Sequence, residues 1–261
     1  MEINNQFQPA DAAGKVSEVI VNADGSREET QTRVVCEHFV DLFINEQLVL
    51  KLVCTPANLV ELAMGRMVSE GYIDSADDVE SIYICSYGRK IKVFLKRERE
   101  FLQTVENEPT CCTGNQVVMS SVGRELQKLG KSEWKSEWIF KLADEFASGS
   151  RIHRATQGTH SCYLSVNGEI IFASEDIGRH NAMDKVIGYI VMNGIKRQDC
   201  ILFTTGRVPT DMVKKVIASR IPVLVSKAVP TDAAIEMAQQ YNLTLICKAW
   251  PDRYEIFNDA V

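Results

Sequence analysis

Two cysteines stand side by side at positions 111 and 112, inside the polar stretch Glu106-Asn107-Glu108-Pro109-Thr110-Cys111-Cys112-Thr113-Gly114-Asn115. The Pro, the Gly and the polar side chains predict an exposed loop that opens a helix over 116–129. A thiol that carries sulfur or acts as a nucleophile must be reachable, must ionise and must move between partners. A flexible loop at a helix start meets all three needs. A pair of incidental surface thiols is the structural alternative. A structural zinc site is disfavoured because no second Cys/His pair has ligand spacing.

A second concentration of chemistry is Ser174-Glu175-Asp176-Ile177-Gly178-Arg179-His180-Asn181-Ala182-Met183-Asp184-Lys185. Gly178 allows close backbone approach to a ligand, Asn181 can cap a helix, and first-turn amides suit an anion. Arg179 and His180 then sit beside whatever binds. His180 can orient a carboxylate, hold a phosphate or act as acid or base, or it can be a satisfied turn residue. The third place is Thr204-Thr205-Gly206-Arg207-Val208-Pro209-Thr210, which sets hydroxyls, a glycine and a guanidinium fork at the carboxyl edge of a sheet. Alone it reads equally as a turn; two such loops on one sheet point to a nucleotide-like site.

The elements that must position these residues follow from periodicity. Apolar runs at 161–166 and 169–173 flank Asn167-Gly168, a hairpin turn pair with positive φ. Ala182, Val186, Ile190 and Val191 recur at helical spacing up to Asn193-Gly194. Strands at 200–204, 222–226, 243–247 and 254–257 alternate with helices at 211–220 and 233–241, which implies an α/β layer. Earlier, 39–44 with 48–53 and 81–85 with 90–95 read as hairpins. Between them Thr55-Pro56 serves as cap and first residue of a helix ending near Gly71. A helix over 131–148 carries Trp134, Trp138, Phe140 and Leu142, read as packing rather than substrate stacking. The organisation expected is a flexible leader at 1–30 holding one possible strand at 16–21, an N-terminal α+β portion built from hairpins at 31–130, a helical linker at 131–158 and an α/β domain at 159–261.

The chain has 261 residues, 45% hydrophobic content and a formal net charge of −6. That composition permits a real core and argues against general nucleic-acid or membrane-surface binding, which would want a basic face. The first 14 residues lack a basic n-region and an apolar h-region, and no apolar run nears the roughly 20 residues that span a bilayer. Six of the eight cysteines sit singly in or beside apolar runs, the pattern of reduced thiols in a cytoplasmic protein.

Together these segments resemble the FdhD family, the accessory sulfurtransferases required for active formate dehydrogenase. The resemblance runs from about Val35 and is carried by Cys54-Thr55-Pro56 with Ser69-Glu70-Gly71-Tyr72-Ile73, by the stretch from Glu175 to Lys185, by Thr205-Gly206-Arg207 and by Ile221-Pro222-Val223-Leu224. It implies a cytidine-deaminase-like α/β domain, usually in a homodimer. It also implies a loop cysteine that accepts sulfur from a cysteine desulfurase as a persulfide and delivers it to the bis-molybdopterin guanine dinucleotide form of the molybdenum cofactor. Many family members carry C-x-x-C in this loop, whereas this chain has Cys111-Cys112-Thr113-Gly114-Asn115. The register favours Cys112 as the carrier, with Cys111 close behind. Phosphate partners for the dinucleotide are expected from Gly178, Arg179, His180 and Asn181 with Thr204, Thr205, Gly206 and Arg207. Trp250, Asp252 and Arg253 occupy the place where the family's tail approaches the nucleotide.

Two rivals stand beside this reading. A zinc deaminase needs H-x-E with P-C-x-x-C, but His160-Ser161-Cys162 has Cys where the Glu should be and no P-C-x-x-C exists. No zinc and no deamination are therefore expected. The other rival is a non-catalytic chaperone that binds the molybdenum cofactor and inserts it into the dehydrogenase.

Overall fold

A computed structural model describes residues 1–9, 11–107, 114–121 and 125–260, with the backbone alone for 103–107 and 119–121. The first half holds β1 (Glu2–Asn5), β2 (Ala13–Val21), β3 (Arg27–Val35), β4 (His38–Ile44), β5 (Gln47–Cys54), α1 (Leu59–Ser69), β6 (Val79–Ile84), β7 (Lys90–Leu95), β8 (Phe101–Asn107) and β9 (Gln116–Ser121). The second holds α2 (Ser136–Gly149), α3 (Arg151–Thr156), β10 (His160–Val166), β11 (Glu169–Asp176), α4 (Arg179–Met192), β12 (Cys200–Thr204), α5 (Thr210–Ala218), β13 (Val223–Ser226), α6 (Asp232–Gln240), β14 (Thr244–Trp250) and β15 (Arg253–Asn258). The fold is mixed α/β.

One sheet has the order β1-β6-β7-β4-β5-β9-β8, a second the order β11-β10-β12-β13-β14-β15, and β2-β3 form a separate ribbon. In the second sheet β10 is antiparallel to β11 and β12, while β12, β13 and β14 are parallel. Strand alternation sends successive residues to opposite faces. Cys162, Leu164, Cys200, Leu202, Leu224 and Leu245 enter the main core with α1, α4 and α5. Tyr163, Ile201, Phe203, Val223, Val225 and Ile246 pack on the other face against Ile139, Leu142 and Ala143 of α2. Burial on both faces explains why these strands read as continuous apolar runs.

Helix α4 is buried nearly all round because α1 lies directly on it. The approach is set by two glycines: a methyl group on Gly65 would overlap the Asp184 carbonyl, and one on Gly188 the Glu61 carbonyl. The contact is locked by charge. Asp184 accepts from Arg66 Nη1 at 3.2 Å, Lys215 Nζ at 3.0 Å and Ser69 Oγ at 2.8 Å, joining α1, α4 and α5.

Several local expectations hold and others do not. Asn167 and Gly168 have φ of 50° and 84°, as the hairpin turn requires. The helix expected over 116–129 is absent: 116–121 is β9, paired with β5 through Leu50↔Val117 and Lys51↔Gln116. An open β5 edge offers those residues backbone partners that local periodicity does not register. The first 30 residues, expected as a leader, contribute β1, parallel to β6, and the β2-β3 ribbon. Helix α1 starts four residues after Thr55, with left-handed Asn58 before its first turn. Helix α3 was not anticipated.

Candidate functional site

Asp176, the last residue of β11, is fully buried and organises the turn that follows. Its carboxylate accepts from Lys185 Nζ at 2.6 Å, from the Thr55 N–H at 3.0 Å and from the Gly178 N–H at 2.9 Å. Gly178 is the residue before α4, and Asn181, expected as the cap, is the third helical residue. Asn181 instead bridges elements: its Nδ2 donates to the Val53 carbonyl at 2.7 Å and to Asp176 Oδ1 at 3.0 Å, and its Oδ1 accepts from Asn115 Nδ2 at 2.9 Å. Asn115 is itself buried, and its Oδ1 accepts the Val53 N–H at 2.8 Å. Asn115, three residues after Cys112 in the chain, is thus fastened to the start of α4. Cys111 and Cys112 lie outside the described residues.

The neighbouring turn is equally pinned. Thr205 exchanges hydrogen bonds with Ser161, its N–H donating to the Ser161 carbonyl at 3.1 Å and its Oγ1 accepting the Ser161 N–H at 3.0 Å. The buried Thr204 Oγ1 accepts the Gly206 N–H at 3.3 Å, and Ser226 Oγ donates to the Gly206 carbonyl at 2.8 Å. Gly206 lies directly on the Arg179 side chain, where an added Cβ would stand 2.8 Å from both Arg179 Cβ and Cδ. The two turns are therefore one surface. His180, 1% exposed, is within hydrogen-bond distance of Asp211 in the first turn of α5, at 3.0 Å, and ties α4 to α5. Arg207 is exposed and pairs with no carboxylate among the described residues.

Strand register brings further groups to this edge. Thr204 is level with Ser226, so Lys227 follows β13 at the same end as the Thr205 turn, its N–H donating to the Thr204 carbonyl at 3.0 Å. Its ammonium lies over the Trp250 ring, which ends β14; Asp252 is exposed in the turn beyond and Arg253 is exposed at the start of β15. His160 begins β10, with Nδ1 3.4 Å from Thr205 Oγ1. Burial, then the charges of Arg179, His153 and His180, hold its pKa below the ordinary value, against the opposing pull of Asp176. Such a collection of cationic and hydroxyl groups suits phosphate oxygens.

Other residues of the long motif serve the fold. Glu175 caps α3, accepting from the Ile152 and His153 N–H groups at 2.9 and 2.7 Å. Asp184 and Lys185 are in buried ion pairs. Cys54, Cys162, Cys200 and Cys247 are buried; burial pushes all four thiols up, those of Cys200 and Cys247 to about 12. Cys162, which stands where a zinc deaminase would carry its catalytic Glu, is thus an inert core thiol. Asn115, Lys227 and Asp211 escaped the sequence reading. The signal for Lys227 is its position just past an apolar strand, as Thr205 is past another.

A family model described as FdhD/NarQ family matches residues 35–261. The chain is 27% identical over 241 residues to sulfur carrier protein FdhD of Listeria monocytogenes, spanning 90% of this chain and 92% of that protein. It is 32% identical over 242 residues to sulfur carrier protein FdhD of Sulfolobus acidocaldarius, spanning 89% and 90%. A Desulfotalea psychrophila crystal structure, described as a candidate formate dehydrogenase accessory protein, superposes with a TM-score of 0.78 at 25% identity, covering 95% of this chain and 97% of that one. With the family pattern matched from residue 35 to the last residue, the chain belongs to the FdhD/NarQ family.

Proposed function

We propose that this protein is a sulfur carrier for formate dehydrogenase maturation. Cys112, with Cys111 beside it, accepts sulfur as a persulfide from a cysteine desulfurase and passes it to bis-molybdopterin guanine dinucleotide, bound here as substrate. The names of the relatives support the sulfur-carrying role. The observation that carries the rest is the Asn115 clamp: Cys112 is three residues away in the chain, so its Cα stays within about 10–11 Å of Asn115. Asn115 in turn is hydrogen-bonded to Asn181, in the same α4 turn as Arg179. A carrier thiol tethered there reaches a ligand held by the cationic edge.

In the accepting step the Cys112 thiolate attacks the outer sulfur of the donor persulfide. A new S–S bond forms on Cys112, the donor S–S bond breaks, and its electron pair leaves as the donor thiolate. In the delivery step the S–S bond on Cys112 breaks, its electron pair stays with Cys112 as the restored thiolate, and the outer sulfur forms its new bond with an electron pair supplied by the reduced acceptor. Arg179, Arg207 and the Thr205-Gly206 turn hold the cofactor's phosphates, with Trp250, Asp252 and Arg253 at the nucleotide end. Gly178 and Thr204 shape the two turns, while His180 and Asn181 act by positioning. The β11-β10-β12-β13-β14 order, with β10 antiparallel to both neighbours, supports a cytidine-deaminase-like reading of the second sheet. The same reading includes a homodimer working in the cytoplasm; no helix of the described residues is long and apolar enough to cross a membrane.

Incubation with a desulfurase and cysteine, followed by peptide mass spectrometry, tests the proposal. One added sulfur on the peptide bearing Cys111 and Cys112 is expected; an unmodified peptide beside a competent donor overturns it. Replacing both cysteines with Ser separates carrier from chaperone. Lost dehydrogenase activity with cofactor binding retained supports sulfur transfer, and unchanged activity supports insertion alone.

A further inference from the structure

Lys227 sets its ammonium against aromatic rings rather than against an acid. Its Nζ lies 4.8 Å from the ring centroid of Phe146 on α2 and 4.9 Å from that of Trp250, so one ammonium is shared between two aromatic faces. No carboxylate pairs with it among the described residues, unlike Lys185 and Lys215, which are matched to acids. Its place is nevertheless fixed. The Lys227 N–H is bonded to Thr204 and the preceding Ser226 hydroxyl to Gly206, so the side chain springs from a backbone fastened to the phosphate-suited turn. Trp250 is 41% exposed, and the ammonium occupies part of the ring surface that a planar ligand would use.

We infer that Lys227 is a ligand-responsive phosphate contact: the diphosphate of a nucleoside diphosphate group draws its ammonium off Trp250 and frees the indole face for the base. This rests on the reading that the sheet edge binds the nucleotide ends of the cofactor. The exchange is favourable because a cation over an exposed ring is held weakly, whereas a charge-assisted hydrogen bond to phosphate is among the stronger polar contacts. One residue thereby couples recognition of the phosphates to recognition of the base, since the stacking surface opens when the charge is taken up. No covalent step is involved.

The test is titration of the full chain with guanosine diphosphate, followed by calorimetry and by tryptophan emission, with Trp250→Phe identifying the Trp250 signal among three tryptophans. Lys227→Met keeps an apolar chain against the two rings and should weaken binding by about tenfold. It should also lower the salt dependence of affinity, and Lys227→Arg should restore both. Inorganic pyrophosphate alone should change Trp250 emission in the wild type and leave Lys227→Met unchanged. Wild-type affinity in Lys227→Met overturns the inference while leaving the nucleotide site standing. Equal loss in Lys227→Arg and Lys227→Met, with unchanged melting temperatures, also overturns it. Absence of any nucleotide binding by the wild-type chain overturns both the inference and the reading beneath it.

Discussion

Replacing Asn181 with Ala separates the clamp role from a direct ligand contact. The side chain is fully buried and makes three hydrogen bonds, to the Val53 carbonyl, to Asp176 Oδ1 and from Asn115 Nδ2. Truncation removes the donor to one buried carbonyl and the acceptor for one buried amide N–H. Each loss costs about 1–3 kcal/mol. Asp176 still has Lys185, Thr55 and Gly178, so its share is small. The higher helix propensity of Ala returns about 0.6 kcal/mol, leaving a net cost of about 1.4–5.4 kcal/mol. That is a large part of the roughly 5–15 kcal/mol that holds a domain folded. With a urea slope near 3 kcal/mol per molar, the denaturation midpoint should fall by about 0.5–1.8 M. Asn181→Asp keeps the volume, removes the Nδ2 donor and sets a second carboxylate against Asp176, so it should fall at least as far. A midpoint within 0.2 M of wild type, combined with lost nucleotide affinity, would refute the clamp and make Asn181 a ligand contact alone.

Gly206→Ala puts a methyl group 2.8 Å from the Arg179 Cβ, which cannot swing aside as a side-chain tip does. A cost of about 1–3 kcal/mol in urea denaturation is expected, with weakened guanosine diphosphate binding as Arg179 is displaced; unchanged binding refutes the shared surface. His160 titrates below its ordinary 6.5 in the folded chain, so the unfolded chain holds that proton more tightly. Its contribution to stability is full above about pH 6.5 and is lost as the pH falls from there toward the folded value. His160→Asn should flatten that slope between pH 7.5 and 5.5, and an unaltered slope refutes the assignment. Among the described cysteines, burial raises the Cys85 thiol, but the backbone donors of Lys90, Tyr87, Arg89 and Gly88 outweigh it and leave the pKa lowered. Iodoacetamide at neutral pH should therefore label Cys85 well before Cys54, Cys162, Cys200 or Cys247. Comparable rates at Cys162 and Cys85 would refute that order.

The buried charges of the long motif have a consequence for reading variants. Removing one partner of an ion pair such as Lys185–Asp176 leaves an uncompensated charge and costs about 3–5 kcal/mol. Loss of activity in such a variant speaks to folding before it speaks to chemistry. Arg207 and Lys227 are the positions where function can be tested with the fold retained, because Arg207 is exposed and Lys227 half-buried at the sheet edge, whereas Arg179 is buried under Gly206.

What the amino-acid order determined by itself is local. Asn167-Gly168 specifies a two-residue turn because both residues tolerate positive φ, and the apolar runs at 200–204, 223–226 and 244–247 specify strands covered on both faces because neither face is strongly polar. The turns after residues 176 and 204 were legible as anion-suited for the same reason: glycine, hydroxyl and arginine types are set just past apolar strands. Tertiary structure decided which polar groups are paired inside. Asn181 reads as a binding residue in the chain but is held by Val53, Asp176 and Asn115; Asp184 is enclosed where α1 packs on α4 at Gly65, and Lys185 pairs with Asp176. Residues 116–121 became a strand because β5 had an open edge, a fact held more than 60 positions away. Lys227 and Trp250 meet only because parallel register ends β13 and β14 beside the Thr205 turn. Local conformational preference is written over a few neighbouring residues, whereas desolvation and strand pairing depend on contacts the linear order does not contain.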